Sequence, residues 1–338
     1  MPQISYVSLG ERISSRLGRL LRTVSGSPRY RRSKDALRRL GITGRSLVIA
    51  APWVWLLLFF LIPFVIVLKI SFAETRFASL PPYGPLFEWT ESHLPLLKLH
   101  LDNFRSLFTE SLYLGAFLSS VRVAAISTVL CLFVAYPMAY GIARANASWR
   151  NTLLLLVILP FWTSFLVRVY AWIGLLRNNG LINNVLMGLG VIDEPIVMMQ
   201  TDFAMYVGIV YSYLPFMILP LYANLEKHDH TLLEAAIDLG ATPFRAFLRV
   251  TLPLSMPGVI AGSMLVFIPA VGEFVIPRLL GGNDTLMIGR VLWDEFFLAR
   301  NWPRASAVAI MLLLLLVIPI MLFQHFQAKE SSGSAARR

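Results

Sequence analysis

Thr231-Leu232-Leu233-Glu234-Ala235-Ala236-Ile237-Asp238-Leu239-Gly240-Ala241-Thr242-Pro243, running on to Arg249-Val250-Thr251-Leu252-Pro253, is the stretch on which the reading of this chain turns. It lies between two long apolar runs and reads as two short helices with a sharp joint. Thr231 and Glu234 have the capping-box spacing, hydroxyl toward the N3 amide and carboxylate back toward the cap, so the first helix is expected to start at Leu232. Gly240 can take the left-handed conformation that ends it. Thr242 followed by Pro243 restarts a helix, cap and N1 proline together, and Pro253 closes it. A rigid elbow held in water by two membrane spans suits the passing of force to something docked beneath it.

Outward from the elbow the chain is too apolar for a water-soluble surface: 338 residues, 57% hydrophobic and only 14% charged. A hydrocarbon core of about 30 Å needs about 20 apolar residues in a helix. Six runs reach that length, approximately 47–70, 116–139, 153–176, 203–222, 258–280 and 305–326. Runs this long must be helices, because a lone strand would leave its backbone unpaired in lipid, and the ten-residue alternation of a barrel is absent. Pro63, Pro137, Pro160, Pro215, Pro269 and Pro319 fall inside them and predict kinks. The expected fold is all-α: six kinked transmembrane helices over 47–326, with an outer loop at 71–115, the elbow loop at 223–257, a basic segment at 1–46 and a tail at 327–338. One cysteine, Cys131, excludes an internal disulfide framework and any multi-thiolate metal site.

Orientation follows from the basic residues. On alternate sides of the six runs the Lys and Arg counts are 19 and 7, with Lys69, Arg122, Arg168 and Arg278 in or at the edge of spans. By the positive-inside rule both termini, and the elbow, are cytoplasmic. The net charge of +11 comes mostly from the first 46 residues. The surplus therefore sets orientation and does not call for a nucleic-acid partner. In that segment Ile13, Leu17, Leu20, Leu21 and Val24 repeat at helical spacing between Arg12, Arg16, Arg19 and Arg22, which fits a helix on anionic lipid, a disordered basic tail or an organellar transit peptide.

Three charges fall well inside the spans: Arg122, Arg168 and Glu273. Counted along continuous helices they share a layer roughly 9 to 12 Å below the outer surface. Each costs about 2.5 to 3.5 kcal/mol at mid-span and so asks for a partner or a function. Either Glu273 pairs with Arg122 or Arg168 and holds helices together, or it faces a pathway and attracts a cation.

The spacing of Glu234-Ala235-Ala236, Gly240 and Val250-Thr251-Leu252-Pro253, placed before the fifth of six spans, resembles the EAA loop in permease subunits of binding-protein-dependent ABC importers. The resemblance covers roughly residues 47–326 and implies the type I ABC importer permease fold in a bacterial inner membrane. It implies that this loop is the coupling helix seated in a cleft of an ATPase. Thr231, Glu234, Ala235, Ala236, Gly240, Pro243 and Pro253 would shape the elbow, and Leu232, Leu233 and Leu239 are the apolar candidates for the cleft. None of the five lysines (Lys34, Lys69, Lys98, Lys227, Lys329) follows a glycine, so no Walker A loop can be written. ATP and Mg are expected on a separate ABC ATPase dimer, with no cofactor on this chain. A second related permease and a periplasmic binding protein complete the implied assembly.

The stretches 159–172 and 262–277 are similar to permeases of spermidine and putrescine importers, which implies a polyamine cargo and a polyamine-binding donor protein. Polyamines are flexible cations recognised by carboxylates and aromatic faces, each face worth about 0.5 to 2 kcal/mol. Glu273 with Trp162 and Tyr170 are the candidates for such a pathway. Trp172 lies near the outer boundary and reads as an interfacial aromatic. The rival cargoes are sulfate, phosphate or a metal complex, to which the intramembrane arginines would be suited. A membrane enzyme lacks a nucleophile-and-base or metal constellation in the spans, and a non-transporting scaffold is the remaining alternative. His228-Asp229-His230 reads as solvated residues leading into the elbow, with no metal site expected. Gly258 and Gly262 form a small-xxx-small pair whose partner helix the sequence leaves open. The loop from Ser71 to Ser111, with Glu74, Glu88, Glu91, Asp102 and Glu110, is a docking surface for a donor protein or a passive plug.

Overall fold

The computed structural model describes residues 44–77, 79–89, 95–229, 231–282 and 285–335, with backbone alone at 44–47, 87–89, 95–97, 322–323 and 325–335. The basic stretch 1–43, Glu91, His230 and residues 336–338 lie outside them. The chain divides into two compact units, one ending at Ile66 and one beginning at Val67. The first holds most of span one, Val48–Ser71, whose helical ladder widens into a π turn at Leu57–Leu61. Pro63 accounts for that turn: it has no N–H, and its ring would clash with the carbonyl four residues back, so the ladder shifts just ahead of it.

In the second unit, spans two, four and six are unbroken helices, Ser111–Arg144, Asp202–Leu225 and Trp302–Ala335. Run three bends more sharply than a kinked continuous span, and a second sharp bend falls just ahead of run five. Ala147–Trp162 and Phe165–Gly188 meet at 92°, and Pro243–Leu254 meets Met256–Val271 at 64°. By length and apolar composition four described helices can cross a bilayer, or six when each bent pair counts as one span. The third run breaks where Pro160 removes an amide from the ladder and tightens Leu159–Trp162 into a 3₁₀ turn. The Thr163 hydroxyl then donates to the Pro160 carbonyl at 2.7 Å, satisfying a group the break has freed.

The fifth run, expected to stay helical from Gly258 to Leu280, ends as a helix at Val271. Pro277 explains the interruption. A continuous helix would need its missing amide to donate to the carbonyl of Glu273, and its ring would strike that carbonyl. Restarting at Val275–Leu279 places Pro277 in a first turn, where no intrahelical partner is required.

Outside the spans the all-α expectation needs one addition. The outer loop contains a short antiparallel pair, Phe87–Trp89 with Pro95–Leu97, in the register Phe87 opposite Leu97. The helix Asp102–Thr109 follows, and the Asn103 amide group donates to the carbonyls of Ser71 and Ala73 at 3.0 and 2.9 Å.

The packing centre lies among spans two, four and five. Met217, Ile218 and Leu221 are fully buried in one cluster with Cys131, Ala135 and Ala139 of span two and Val266 of span five. Lipid is as apolar as these side chains, so close approach and dispersion, rather than escape from water, hold such helices together. Gly258 and Gly262 supply the approach. A Cβ at Gly262 would lie 2.7 Å from Met217 Sδ and 3.0 Å from the Met217 carbonyl, and one at Gly258 would lie 2.8 Å from Asn224 Cβ. The small-residue pair therefore serves contact with span four of the same chain.

Candidate functional site

The elbow comprises helix Thr231–Asp238, a joint at Leu239–Thr242 and helix Pro243–Leu254. Gly240 has φ +84°, its amide donates to the Ile237 carbonyl at 2.8 Å, and the Ala241 amide donates to Ala236 at 3.0 Å. That paired closure is a Schellman motif, the joint expected at this glycine. Thr242 caps the second helix as expected, accepting from the Arg245 amide at 3.4 Å with Pro243 at N1.

The start of the first helix differs from the sequence reading. Thr231 is already helical, and its amide donates to the Asp229 carboxylate at 3.0 Å. The side chain that caps is thus Asp229, two residues back, in an Asx-type bond that competes effectively with a threonine cap because the carboxylate is charged. His228 lies with Nε2 3.2 Å from Asn224 Oδ1.

Leu232 and Leu239, two of the three leucines expected to enter a cleft, are exposed, Leu239 at 89%. Leu233 is half-buried and turns toward its own body, lining a small cavity with Tyr140, Leu225 and Val250. Ile237 and Phe244, the latter 70% exposed, join the outward apolar face instead. Phe244 could have been read from its place immediately after the N1 proline, in the first turn of the second helix.

Behind this face the elbow is clamped to span two. Phe247 meets Tyr136 and Tyr140 edge-on at 5.6 and 5.8 Å, and the hydroxyls of Tyr136 and Ser255 are 2.8 Å apart. Ala246 and Thr251 are buried. The cytoplasmic ends of spans two to four are tied by Arg150, which donates to the Ala143 carbonyl at 3.0 Å and pairs with Glu226 at 2.9 Å. A push on the elbow therefore reaches span two through three rings and span five through its own helix.

At the outer end of span five Glu273 sits in the break, 8% exposed. Its Oε1 accepts the amides of Phe274, Val275 and Ile276 at 3.1, 3.0 and 3.4 Å. Its Oε2 accepts the Tyr213 hydroxyl of span four. The ion pair with Arg122 or Arg168, one of the two readings of Glu273, is not formed among the described residues. The physical reason is local: once the helix ends at Val271, three unpaired amides converge on the carboxylate and satisfy it without a cation. Backbone closes over this turn as well, since a Cβ at Gly289 would lie 2.4 and 2.8 Å from the carbonyls of Gly272 and Glu273.

The depth count assumed continuous helices, and the break at 163–164 removes that basis for Arg168. Arg122 is exposed. Arg168 lies over the rings of Phe161 and Phe165, at 4.9 and 5.8 Å, at the edge of a cavity of about 520 Å³ lined also by Met138, Leu156 and Tyr211. Trp162 and Tyr170 are 77% and 58% exposed, and no ring contact or hydrogen bond among the described residues joins them to Glu273. Trp172, read as interfacial, is half-buried and packs edge-on against Tyr211 at 5.4 Å.

The sequence reading missed a second feature beside Glu273. Phe274 stacks on Trp293 at 4.4 Å, Trp293 lies 4.1 Å from Phe297, and Asp294 between them pairs with Arg278 at 3.1 Å. Its signal was the run Trp293-Asp294-Glu295-Phe296-Phe297, two acids set among aromatics in an otherwise apolar region.

Bent and straight apolar helices with an exposed helical elbow between two of them define a multi-pass membrane protein. Residues 131–331, more than half of the chain, match the family described as Binding-protein-dependent transport system inner membrane component, and the chain belongs to that family. It is a multi-pass permease subunit of the inner membrane in an ABC transporter. Among relatives, it is 40% identical over 286 residues to the spermidine/putrescine transport system permease protein PotB of Haemophilus influenzae, covering 85% of this chain and 94% of that protein. The PotB of Escherichia coli is 39% identical over 276 residues, 82% of this chain and 94% of the relative. Among solved structures, a bacterial ABC transporter involved in import of the acidic polysaccharide alginate aligns with TM-score 0.61 over 88% of this chain and 99% of that one, at 16% identity, a likeness of fold alone.

Proposed function

We propose that this subunit forms, with a second related permease, the pathway through which an ABC importer takes a polyamine, putrescine or spermidine, across the inner membrane. The observation that carries the cargo is the 40% identity to a spermidine/putrescine permease over 85% of the chain. In this reading ATP and Mg are held by an ABC ATPase dimer whose cleft receives Leu232, Ile237, Leu239 and Phe244, and a periplasmic polyamine-binding protein delivers the cargo. The absence of any Gly-Lys pair in the sequence supports placing hydrolysis on another chain. Exposed Trp162 and Tyr170 are the aromatic faces this subunit offers at a pathway shared with the second permease. Glu273 contributes to the wall by holding the break that shapes it.

The test is ATP-dependent uptake of labelled putrescine and spermidine by proteoliposomes holding the complete transporter and its donor protein. Uptake of polyamine that stops when ATP is withheld is the expected result. Uptake of sulfate or phosphate with none of polyamine would overturn the cargo and turn attention to Arg122 and Arg168.

A further inference from the structure

Outward of Glu273 the chain builds a half-open shelf. Its floor is the ring of Phe274 stacked against Trp293 with an interplanar angle of 16°, and the Trp293 ring continues to Phe297. Asp294 projects beside these rings from the first residue of a π turn, Asp294–Leu298, that interrupts the helix begun at Ile288. A π turn widens the ladder and re-aims the side chains that follow, and such turns are frequent at functional sites. Topology places the shelf at the outer ends of spans five and six, on the side from which an importer receives cargo.

A carboxylate flanked by aromatic faces suits an alkylammonium: one full counter-charge and several negative ring faces. The structure holds a cation in that position, and it is the chain's own. The Arg278 guanidinium lies 3.1 Å from Asp294 Oδ1 and 6.0 Å from the Phe274 centroid, and Arg290 approaches Asp294 Oδ2 at 3.9 Å. The pair is not sealed, since the Arg278 and Asp294 side chains keep 41% and 35% of their exposure and Phe297 keeps 52%. A tethered guanidinium with an open side can be exchanged for an incoming ammonium. A polyamine can then set one ammonium on Asp294 and lay its methylene chain along Trp293 and Phe297.

We propose that Phe274, Trp293, Asp294 and Phe297 form an outward-facing site for the ammonium group of the cargo, and that Arg278 occupies this site until cargo displaces it. The proposal rests on the polyamine reading above and adds to it a named site and a built-in competitor. Arg278 then sets the concentration at which cargo is accepted, and its removal tightens the site where removal of Asp294 loosens it.

These opposite signs make the test. The complete transporter with its donor is reconstituted in proteoliposomes, and the half-saturating putrescine concentration and maximal uptake rate are measured for the parent, Asp294→Asn, Arg278→Gln and Trp293→Ala, with the amount of assembled complex determined for each. Asp294→Asn and Trp293→Ala are expected to raise the half-saturating concentration about fivefold, and Arg278→Gln to lower it about threefold, with maximal rates little changed. If Arg278 and Asp294 are only a structural tie, the Arg278→Gln and Asp294→Asn variants shift in the same direction or lose assembly together, and the proposal falls. Polyamine uptake unaltered in all three variants sinks the site while leaving the cargo standing. No polyamine uptake by the parent complex sinks the cargo, and this site's ligand with it.

Discussion

At Gly240 backbone conformation, not side-chain space, calls for glycine. A Cβ there would meet no atom within 4 Å, so space does not require glycine; the φ of +84° does. A β-branched residue in that conformation costs about 1 to 2 kcal/mol, enough to open the joint, whereas asparagine adopts it readily. Gly240→Val is expected to keep ATP hydrolysis while uptake per ATP falls several-fold, and Gly240→Asn to behave close to the parent. Equal coupling in both variants, measured as uptake against phosphate release, would remove the joint from the mechanism. Glu273 is the opposite case, a residue defined by its contacts. Glu273→Gln keeps an oxygen for the three amides and an amide group for Tyr213, so assembly is expected to survive. Glu273→Ala leaves four donors at a buried break without their acceptor and is expected to destabilise the subunit by about 3 kcal/mol. The check is thermal stability of the purified complex, and an alanine variant as stable as the parent would contradict the capping role.

At the scale of elements, the elbow matters through the way it is fastened. Its two helices are short, and short helices have little stability of their own. Phe247 wedged between Tyr136 and Tyr140 gives the second helix two edge-on contacts, each worth about 0.5 to 1.5 kcal/mol beyond buried area. The first helix is fastened less firmly, through Leu233 and the Schellman joint. In the proposed coupling the second helix is the lever, through Phe247, while the exposed Leu232, Ile237, Leu239 and Phe244 of the two helices meet the partner. Phe247→Ala is therefore expected to leave ATPase binding intact while weakening, by several-fold, the stimulation of hydrolysis by cargo-loaded donor protein. Loss of ATPase binding with normal stimulation per bound ATPase would reverse the two roles. The same scale explains the bend at 163–164 and the break at 272–274. In each a proline withdraws an amide, and a nearby oxygen group, the Thr163 hydroxyl or the Glu273 carboxylate, takes up the freed backbone group.

For the molecule as a whole, what was legible in the sequence was what depends on local composition. Six apolar runs, the Gly240 joint and the Thr242-Pro243 restart are each decided within a few residues, and each is found. What was not legible depends on competition between local and distant bonds. For Glu273 the sequence leaves two readings open, an ion pair or a pathway charge, and only the position of Pro277 and the folded-back amides reveal that its partners are backbone and Tyr213. The shelf at Trp293 was invisible because Phe274 and Phe297 meet only after that break forms. Orientation, by contrast, is a global property read from charge alone, and it can be tested with a probe that the chain already favours. Cys131 is fully buried, so the natural thiol is a silent background for a membrane-impermeant maleimide. Leu239 on the elbow and Leu80 in the outer loop are 89% and 91% exposed, and neither supports the core. Leu239→Cys is expected to label only in inverted vesicles and Leu80→Cys only in right-side-out ones, with the parent unlabelled in both. Bound ATPase should protect Leu239→Cys by an order of magnitude in rate and leave Leu80→Cys unaffected, because an apolar side chain seated in a cleft loses its contact with water. Labelling of Leu239→Cys from the outside would invert the topology and with it both the coupling role of the elbow and the outward placement of the Asp294 shelf.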